Sequence, residues 1–269
     1  MKVYPNAKIN LGLQIVGKRP DGYHLLQTVF YPIPWCDELS VEPAERFSFE
    51  QDGLSVGCDS EQNLVMKAYR LLAGHFALPA MRIGLCKHIP FGAGLGGGSS
   101  DAAFMLKAVN QLCCLGLSAA ELELLAARLG ADCAFFIRNE AVFAGGIGTD
   151  FEPMAPIDLR GWHLVLVKPS FGVSTAEAYR HVSVGRPAFD LHGLAALPVE
   201  SWREVVVNDF EASVFPQYPL LATIKQSLYG CGAAYAAMSG SGSTMFGLFK
   251  NLPDTKMLHQ YGLVQHFEL

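Results

Sequence analysis

The residues most suggestive of chemistry form a glycine-rich run that ends in two serines and an aspartate. The run reads Pro90-Phe91-Gly92-Ala93-Gly94-Leu95-Gly96-Gly97-Gly98-Ser99-Ser100-Asp101-Ala102-Ala103. Glycines let the main chain take positive φ angles and approach a ligand with no Cβ in the way. Apolar residues then recur at helical spacing, so the run opens a helix whose unpaired N–H groups and dipole attract an anion. The pattern predicts a polyphosphate site.

Other interpretations of the run compete with this one. It is not a Walker A motif, because no Lys-Ser or Lys-Thr pair closes it. Gly92, Gly94 and Gly97 match the G-x-G-x-x-G dinucleotide pattern. The acidic residue expected about 20 positions later falls in residues 121–129, which read as a helix. A flexible surface loop is the remaining alternative, but a strand before the run and a helix after it favour phosphate binding.

Further candidate residues lie near the start of the chain. Alternating apolar residues predict a half-buried strand over residues 7–16, which places Lys8 and Asn10 on its other face, about 7 Å apart. A lysine on such a face is most often simply solvated. Tyr23 and His24 follow a turn and open a second predicted strand. Such a pair at the start of an edge strand more often has no binding role than forms part of a binding site.

An aspartate after a predicted helix is the next candidate. Ser118 and Glu121 form a capping-box pattern, and the helix that they start is predicted to stop at Gly130 in a left-handed C-cap. Asp132 follows. An acid just past a helix end could simply cap the next turn.

The remaining elements are predicted from hydrophobic spacing and capping residues. Ser174 and Glu177 form a second capping box, which opens a helix that carries Tyr179. A glycine-serine turn over residues 238–243 joins two apolar strands. Further strands are predicted over 25–31, 38–49, 81–89 and 163–167, a helix over 62–76, and irregular chain over 183–200.

Composition limits the function further. The net charge is −5 and no cluster of lysine and arginine exceeds a pair, which argues against a nucleic-acid surface. Seven cysteines without a C-x-x-C pair suggest neither a disulfide framework nor a zinc site. The chain starts without an apolar leader and has no run of about 18 apolar residues. We expect a soluble, cytoplasmic protein.

Three of these stretches resemble one enzyme family. The glycine run is similar to the phosphate loop of the superfamily of galactokinase, homoserine kinase, mevalonate kinase and phosphomevalonate kinase. Its triple glycine before Ser99 is most similar to one branch, the 4-diphosphocytidyl-2-C-methyl-D-erythritol kinases, with Ala93 where that branch usually has glycine. Residues 7–11 with 21–24, and residues 238–243, resemble further motifs of that branch, so the resemblance spans essentially the whole chain.

The resemblance implies an α+β, two-domain small-molecule kinase with its active site between the domains. A glycine cluster at 145–148 and prolines at 153 and 156 predict a domain boundary after residue 152. The resemblance implies that residues 1–152 form the N-terminal ATP-binding domain, with its glycine-rich phosphate loop, and residues 153–269 the C-terminal domain. The implied reaction is ATP-dependent phosphorylation of the 2-hydroxyl of 4-diphosphocytidyl-2-C-methyl-D-erythritol, in the methylerythritol phosphate route to isoprenoids. ATP and Mg²⁺ are the implied cofactors. No nucleic acid, membrane or obligatory protein partner is expected.

The resemblance also assigns the catalytic and nucleotide-binding roles. Asp132 resembles the catalytic base, although the family usually has a proline near Ala134. Lys8 would keep Asp132 ionised and stabilise charge on the transferring group. Asn63 and Lys87 resemble residues that line the adenine site. The loop residues that would bind ATP are Pro90, Gly92, Ala93, Gly94, Leu95, Gly96, Gly97, Gly98, Ser99 and Ser100; Mg²⁺ would lie near the two serines, with no ligand set assigned.

The acceptor substrate is assigned to the remaining motifs. Tyr23 and Tyr179 would stack on either side of cytosine, and His24 would bond the edge of the base. The other residues expected to contact the substrate are Asn10, Asp132, Thr175, Gly240, Ser241 and Gly242.

Two rival functions remain open at this point. A sister kinase acting on mevalonate or homoserine would share the loop and Asp132, but it does not need Tyr23, His24 or Tyr179. A regulator that binds nucleotides without catalysis would keep the glycine loops and lose the pair of Lys8 and Asp132. Because both features are present, we expect the diphosphocytidyl kinase activity.

Overall fold

The computed structural model describes residues 1–55, 57, 59–187 and 189–269. They form two compact units, each assembled from separate stretches of chain. The Lys8 unit contains Met1–Lys8, Pro32–Phe91 and Gly96–Glu140; the Tyr179 unit contains Ile9–Tyr31, Gly92–Leu95 and Ala141–Leu269. The boundary predicted between residues 152 and 153 lies inside the Tyr179 unit, and it stays a prediction about how the chain divides into domains.

The secondary structure mixes strands and helices throughout. The strands are β1 (Lys2–Val3), β2 (Asn6–Lys18), β3 (His24–Cys36), β4 (Glu38–Pro43), β5 (Ser48–Gly53), β6 (Met81–Lys87), β7 (Val142–Gly145), β8 (Asp150–Glu152), β9 (His163–Lys168), β10 (Tyr235–Met238), β11 (Met245–Phe249) and β12 (Leu263–Glu268). The helices are α1 (Leu64–Ala73), α2 (Gly97–Leu112), α3 (Ala119–Ala127), α4 (Phe135–Arg138), α5 (Thr175–Arg180), α6 (Trp202–Val205), α7 (Phe210–Val214) and α8 (Pro219–Gly230).

In the Lys8 unit, one sheet carries the glycine run to the start of a helix. The strand order is β1-β4-β6-β5, and β6 pairs antiparallel with β4 and parallel with β5. A parallel pair needs a crossover connection, and α1 supplies it between β5 and β6. Helix α2 packs on α1 and β4 through a face that buries Ala102, Leu106 and Val109. This packing fixes where the N-terminus of α2 lies.

The Tyr179 unit has an antiparallel sheet with the order β10-β11-β9-β12, in which a tight turn joins β10 and β11. Its core includes Val165, Val167, Phe210, Ile224 and Leu228, and Tyr179 packs at the edge of this core. A further sheet runs β2-β3-β7-β8, and the greater parts of β2 and β3 belong to this unit.

Most predicted elements are confirmed, including the strand in residues 163–167 and both capping boxes. The half-buried character predicted for residues 7–16 is wrong. Strand β2 is buried on both faces, and Lys8 and Asn10 are only 4% and 2% exposed. Hydrogen bonds and charge pairing allow polar side chains to be buried, so their polarity did not reveal the outer face of a strand.

Three other local predictions are wrong. Residues 38–49 form two strands, β4 and β5, because these pair with opposite edges of β6. Gly130 does not have a positive φ; α3 ends at Ala127, and its C-cap, Arg128, has a right-handed conformation. Residues 183–200 are not wholly irregular, since short 3₁₀ helices occur at Leu191–Ala196 and Val199–Ser201.

None of the helices in the described ranges is long and apolar enough to cross a bilayer.

Candidate active site

The glycine run leads into the N-terminus of α2, which has no side-chain cap among the described residues. Gly96 is the N-cap of the helix, with φ +70°. A Cβ at Gly96 would lie 3.0 Å from two ring carbons of Phe136, so glycine is needed for both φ and space. The first amides of α2 therefore have no partner within the helix and point at any bound anion.

The glycines of the run serve two different purposes. Gly92, Gly94 and Gly96 have the positive φ angles that glycine readily adopts. Gly97 and Gly98 are already helical. A Cβ at Gly97 would approach Ile89 Cγ2 to 2.8 Å, so close packing rather than positive φ requires glycine at that position.

The two serines lie in the first turn of α2. The Ser100 side chain is fully buried, and its Oγ has no hydrogen-bond partner in the described part of the protein. Ser99 lies in the same turn of α2. An unsatisfied buried hydroxyl is uncommon, and a phosphate-bound cation would satisfy it. Among the residues described, no three His, Cys, Asp or Glu side chains gather to hold a metal by themselves.

Lys8 and Asp132 form an ion pair beside this helix start. Lys8 Nζ lies 3.4 Å from Asp132 Oδ2. The lysine side chain is 5% exposed and the aspartate side chain is 32% exposed. A Cβ on Gly96 would be 3.2 Å from Lys8 Cε, so the lysine passes directly beside the N-terminus of α2. The Lys8 unit thus combines an accessible carboxylate, a cation and an anion-binding helix end.

Lys87 lies in a different environment in the same unit. Its ammonium group contacts Asp37 Oδ2 and, at 2.6 Å, Asp101 Oδ2. All three side chains are at most 4% exposed. Burial raises the pKa of Asp101 to about 7. The prediction that Lys87 lines the adenine site stays a prediction.

Asn63, the second residue predicted to line the adenine site, also stabilises the start of α1. Its Oδ1 accepts the Val65 N–H at 2.9 Å as the N-cap of α1, and its Nδ2 donates to Gln51 Oε1 at 2.9 Å. These bonds fix the start of α1, and the predicted contact with adenine is not tested by them.

In the Tyr179 unit, residues 92–95 of the glycine run pack on the turn between β10 and β11. Ser239 Oγ donates to Gly94 O at 2.8 Å, and the Thr244 N–H donates to Ala93 O at 3.3 Å. A Cβ at Gly94 would collide with Ser239 O. The turn between β10 and β11 therefore packs directly against residues 93 and 94 of the glycine run. Ser241 also contacts Thr175, with the two hydroxyl oxygens 3.3 Å apart.

An aromatic stack lies in the same unit. The rings of His24 and Tyr179 stack with centroids 5.0 Å apart at 16°. Phe210 packs edge-on against Tyr179 at 4.7 Å and fixes its plane. Burial, with the charge of Lys18, lowers the pKa of His24, so the neutral imidazole offers one donor and one acceptor. Tyr23 is 62% exposed, and its stacking with Tyr179 around a base stays a prediction.

Asn10 is held by a hydrogen-bonded relay. Its Nδ2 donates to Thr28 Oγ1 at 2.9 Å, and Thr28 Oγ1 donates to Gly12 O at 2.5 Å. Because the threonine hydrogen is used by Gly12, Thr28 presents an acceptor to Asn10 and sets which way the amide points. A Cβ at Gly240 would lie 3.3 Å from Asn10 Oδ1, which places Asn10 next to the turn.

Sequence reasoning missed the residues that hold this turn. Asn208 Nδ2 donates to Met238 O at 2.7 Å and to Gly240 O at 2.8 Å. Glu211 Oε1 accepts the Met238 N–H at 2.9 Å. The signal was an amide and two acids after an apolar run, in the segment that reads Val-Val-Val-Asn-Asp-Phe-Glu at residues 205–211.

Comparison with known proteins now defines the class. The model of the GHMP kinases N terminal domain matches residues 63–140, and that of the GHMP kinases C terminal domain matches residues 186–256. A crystal structure of mevalonate kinase from Methanococcus jannaschii has a TM-score of 0.72 at 13% identity, covering 99% of this chain and 96% of that one. The α+β kinase fold is therefore confirmed.

Two more similar proteins identify the branch. A 4-diphosphocytidyl-2-C-methyl-D-erythritol kinase of Parabacteroides distasonis is 54% identical over 250 residues, covering 93% of this chain and 92% of that protein. A crystal structure of 4-(cytidine 5'-diphospho)-2C-methyl-D-erythritol kinase has a TM-score of 0.86 at 32% identity, covering 99% and 98% of the two chains. This chain belongs to the 4-diphosphocytidyl-2-C-methyl-D-erythritol kinase family.

Proposed function

We propose that this chain transfers the terminal phosphoryl group of ATP to the 2-hydroxyl of 4-diphosphocytidyl-2-C-methyl-D-erythritol, the compound that gives its relatives their name. The reaction yields the 2-phosphate and ADP, and it belongs to the methylerythritol phosphate route to isoprenoids. The observation that carries the proposal is the ion pair of Lys8 and Asp132 beside the bare N-terminus of α2.

The proton of the acceptor hydroxyl goes to Asp132. Phosphoryl transfer depends on positioning and on charge stabilisation more than on covalent chemistry by the protein. The Asp132 carboxylate is accessible enough to reach a hydroxyl, and accepting its proton makes the oxygen a better nucleophile. Lys8, which is almost fully buried, supplies a fixed positive charge next to the reacting oxygen.

The phosphates of ATP would lie on the main-chain amides of the loop and the first turn of α2. These amides are fixed before the nucleotide arrives, so they stabilise charge without reorganisation. Ser99 and Ser100 would hold Mg²⁺ together with the phosphates, and the unsatisfied Ser100 hydroxyl fits this role. The ion supplies charge neutralisation for the phosphates.

The cytosine is assigned to the aromatic residues of the Tyr179 unit. Tyr179 offers a ring held in place by Phe210, and neutral His24 can both donate to and accept from a base edge. Tyr23 would stack on the base from an exposed position. Asn10, Thr175 and the turn at Gly240, Ser241 and Gly242 would contact the rest of the substrate. We further propose that the enzyme works in the cytoplasm on these small molecules, without nucleic acid or an obligatory protein partner.

A coupled ADP-release assay tests the proposal. The purified chain is given ATP, Mg²⁺ and one of three acceptors: the diphosphocytidyl substrate, mevalonate or homoserine. We expect release only with the diphosphocytidyl substrate, and inhibition by cytidine diphosphate but hardly by uridine diphosphate, because His24 would face the position where the bases differ. Faster turnover of mevalonate or homoserine would reject the assigned acceptor, and no release with any of the three would reject the kinase activity.

A further inference from the structure

The cluster of Lys87, Asp37 and Asp101 lies where the two ends of the phosphate loop meet the rest of the Lys8 unit. Lys87 is the last residue of β6, which leads into the loop. Asp101 is in the helix that leaves the loop. Asp37 lies between β3 and β4 and is fully buried. The three residues therefore come from three separate stretches of chain, joined through one ammonium group.

Asp37 fixes the incoming end of the loop. Its Oδ1 accepts the His88 N–H at 2.6 Å and the Ile89 N–H at 2.9 Å, while its Oδ2 contacts Lys87 Nζ. Asp37 is itself anchored, because its own N–H donates to Pro5 O at 2.8 Å. The two residues that follow β6 therefore cannot shift without breaking charge-assisted hydrogen bonds.

Lys87 then ties this end to the outgoing helix. Its ammonium group also donates to Asp101 Oδ2 at 2.6 Å, one turn inside α2. A Cβ at Gly97 would lie 3.4 Å from Lys87 Nζ and 2.8 Å from Ile89 Cγ2, so the start of α2 packs directly on the same cluster. The lysine is thus occupied on both sides by carboxylates.

We propose that Lys87 and Asp101 are positioning residues that hold the two ends of the phosphate loop in the conformation that binds ATP, and that the Lys87 ammonium does not contact adenine. This inference rests on the proposed function, since it assigns the nucleotide phosphates to the loop. Preorganised donors bind more tightly because their ordering cost has already been met in the free protein. A loop whose ends can drift loses that advantage.

The charge balance of the cluster suggests the sharpest variants. Two carboxylates face one ammonium, and the second oxygen of Asp101, Oδ1, has no hydrogen-bond partner in the described ranges. Burial raises the pKa of Asp101 to about 7, so its neutral form is accessible. Asp101→Asn resembles that neutral form and keeps an oxygen that accepts from Lys87. Asp101→Leu has a similar shape, removes the link and leaves Lys87 and Asp37 as a neutral pair.

The test measures Kd by calorimetry for ATP, for inorganic tripolyphosphate and for cytidine diphosphate. Tripolyphosphate has no adenine, so it reports on the loop alone. We expect Asp101→Leu to weaken ATP and tripolyphosphate by the same factor, roughly 10- to 100-fold. Asp101→Asn should stay within about threefold of the parent chain, because its hydrogen bond to Lys87 is kept. Cytidine diphosphate should bind all variants equally.

Lys107→Met is the matched control for a general weakening of α2. Lys107 is on the same helix and donates to Phe136 O at 2.8 Å, but it does not touch the cluster. It should lose thermal stability without losing affinity for either phosphate ligand. If Asp101→Leu does not fold, Asp37→Asn tests the other contact of Lys87. It keeps an acceptor for the main chain but weakens the contact with the lysine, so it should weaken ATP and tripolyphosphate by the same factor as each other.

Each contrary result has a distinct meaning. Unchanged ATP and tripolyphosphate affinity in folded Asp101→Leu would overturn the positioning role. An equal loss in Asp101→Asn and Asp101→Leu would overturn the role of the Lys87 link. A loss for ATP without a loss for tripolyphosphate, in Lys87→Met, would return the lysine to the adenine site. If the parent chain binds neither ligand, the proposed function fails instead.

Discussion

Two lysines of the same compact unit are almost fully buried, yet their surroundings prepare them for different tasks. Lys8 lies 3.4 Å from the Asp132 carboxylate, which remains about one-third exposed. Lys87 faces two carboxylates, both buried, with direct contacts to each. Burial of a charge is therefore not by itself a sign of catalysis.

The difference lies in what else the partners can do. The accessible side of Asp132 is open to an incoming hydroxyl, so its pairing with Lys8 can take part in a proton transfer. Around Lys87, the Asp37 carboxylate accepts from two main-chain amides and contacts the lysine, and Asp101 accepts from the lysine through one oxygen while both side chains stay buried. Breaking such a buried pair is costly because it leaves an uncompensated charge. One cluster is suited to reaction and the other to holding structure.

The largest expected effect is that of Asp132→Asn, which tests whether the partner of Lys8 acts as the catalytic base. The amide cannot accept the hydroxyl proton, so we expect kcat to fall by roughly 10²- to 10⁴-fold. The Kd of ATP should barely change, because the phosphates are bound by the loop. Steady-state kinetics and calorimetry on the same preparation give both values. Near-normal turnover in a folded variant would place the base elsewhere.

Gly96→Val tests whether the helix start beside Lys8 must be free of side chains. Valine at φ +70° is strained, and its Cβ would press on Phe136 and Lys8. ATP affinity should fall below detection in calorimetry. The control is Gly116→Val, which has φ +72° in the same unit and open space around the Cβ. That variant should lose stability and keep its ATP affinity; unchanged ATP binding in folded Gly96→Val would refute the assigned site.

Tyr179→Ala extends the comparison to the other unit. Removing one stacking surface should weaken binding of the diphosphocytidyl substrate by about 1–3 kcal/mol. Tyr179→Phe should cost little, since the ring supplies the stacking face. Tyr23→Ala is expected to show a similar loss if both tyrosines stack on cytosine. ATP affinity measured in parallel should not change; if it falls together with substrate affinity, the pyrimidine assignment is wrong.

The last prediction concerns folding stability rather than turnover or binding: stability should depend on pH because of the Lys87 cluster. Asp101 has an ordinary pKa of 3.8, which the fold raises to about 7. Between these values the folded chain holds a proton that the unfolded chain has lost, so this group makes stability fall as pH rises from about 4 to 7. The slope is on the order of 1 kcal/mol per pH unit. Asp101→Asn should remove it in urea unfolding at several pH values; an unaltered slope would contradict the buried, protonated carboxyl.

The sequence was sufficient for the local parts of this account. The helix start at the glycine run, the capping boxes at Ser118 and Ser174, and the strand that carries Lys8 all follow from spacing and capping chemistry. Such features depend on neighbours within a few residues along the chain. The same holds for the turn between β10 and β11.

The environments of the two lysines could not be predicted in the same way. Lys87 meets Asp37 at a separation of 50 residues and Asp101 at 14, and only the packing of the sheet on α2 brings them together. The burial of Lys8 was likewise hidden, because alternation along a strand does not reveal what covers its polar face. Asn208, which donates to the turn between β10 and β11, lies 30 and 32 residues along the chain from its partners Met238 and Gly240. Tertiary contacts, rather than local pattern, decide these features.

The most direct test of the central claim is the phosphorus NMR spectrum of the product made from ATP and the diphosphocytidyl substrate. Carbon 2 of the acceptor carries a methyl group and no hydrogen, so a phosphate on its oxygen has no proton three bonds away. We predict a new monoester resonance that stays a singlet without proton decoupling, and that is absent over the same time with Asp132→Asn. A triplet or doublet would place the phosphate on another hydroxyl, and ADP release without any monoester would contradict the transfer itself.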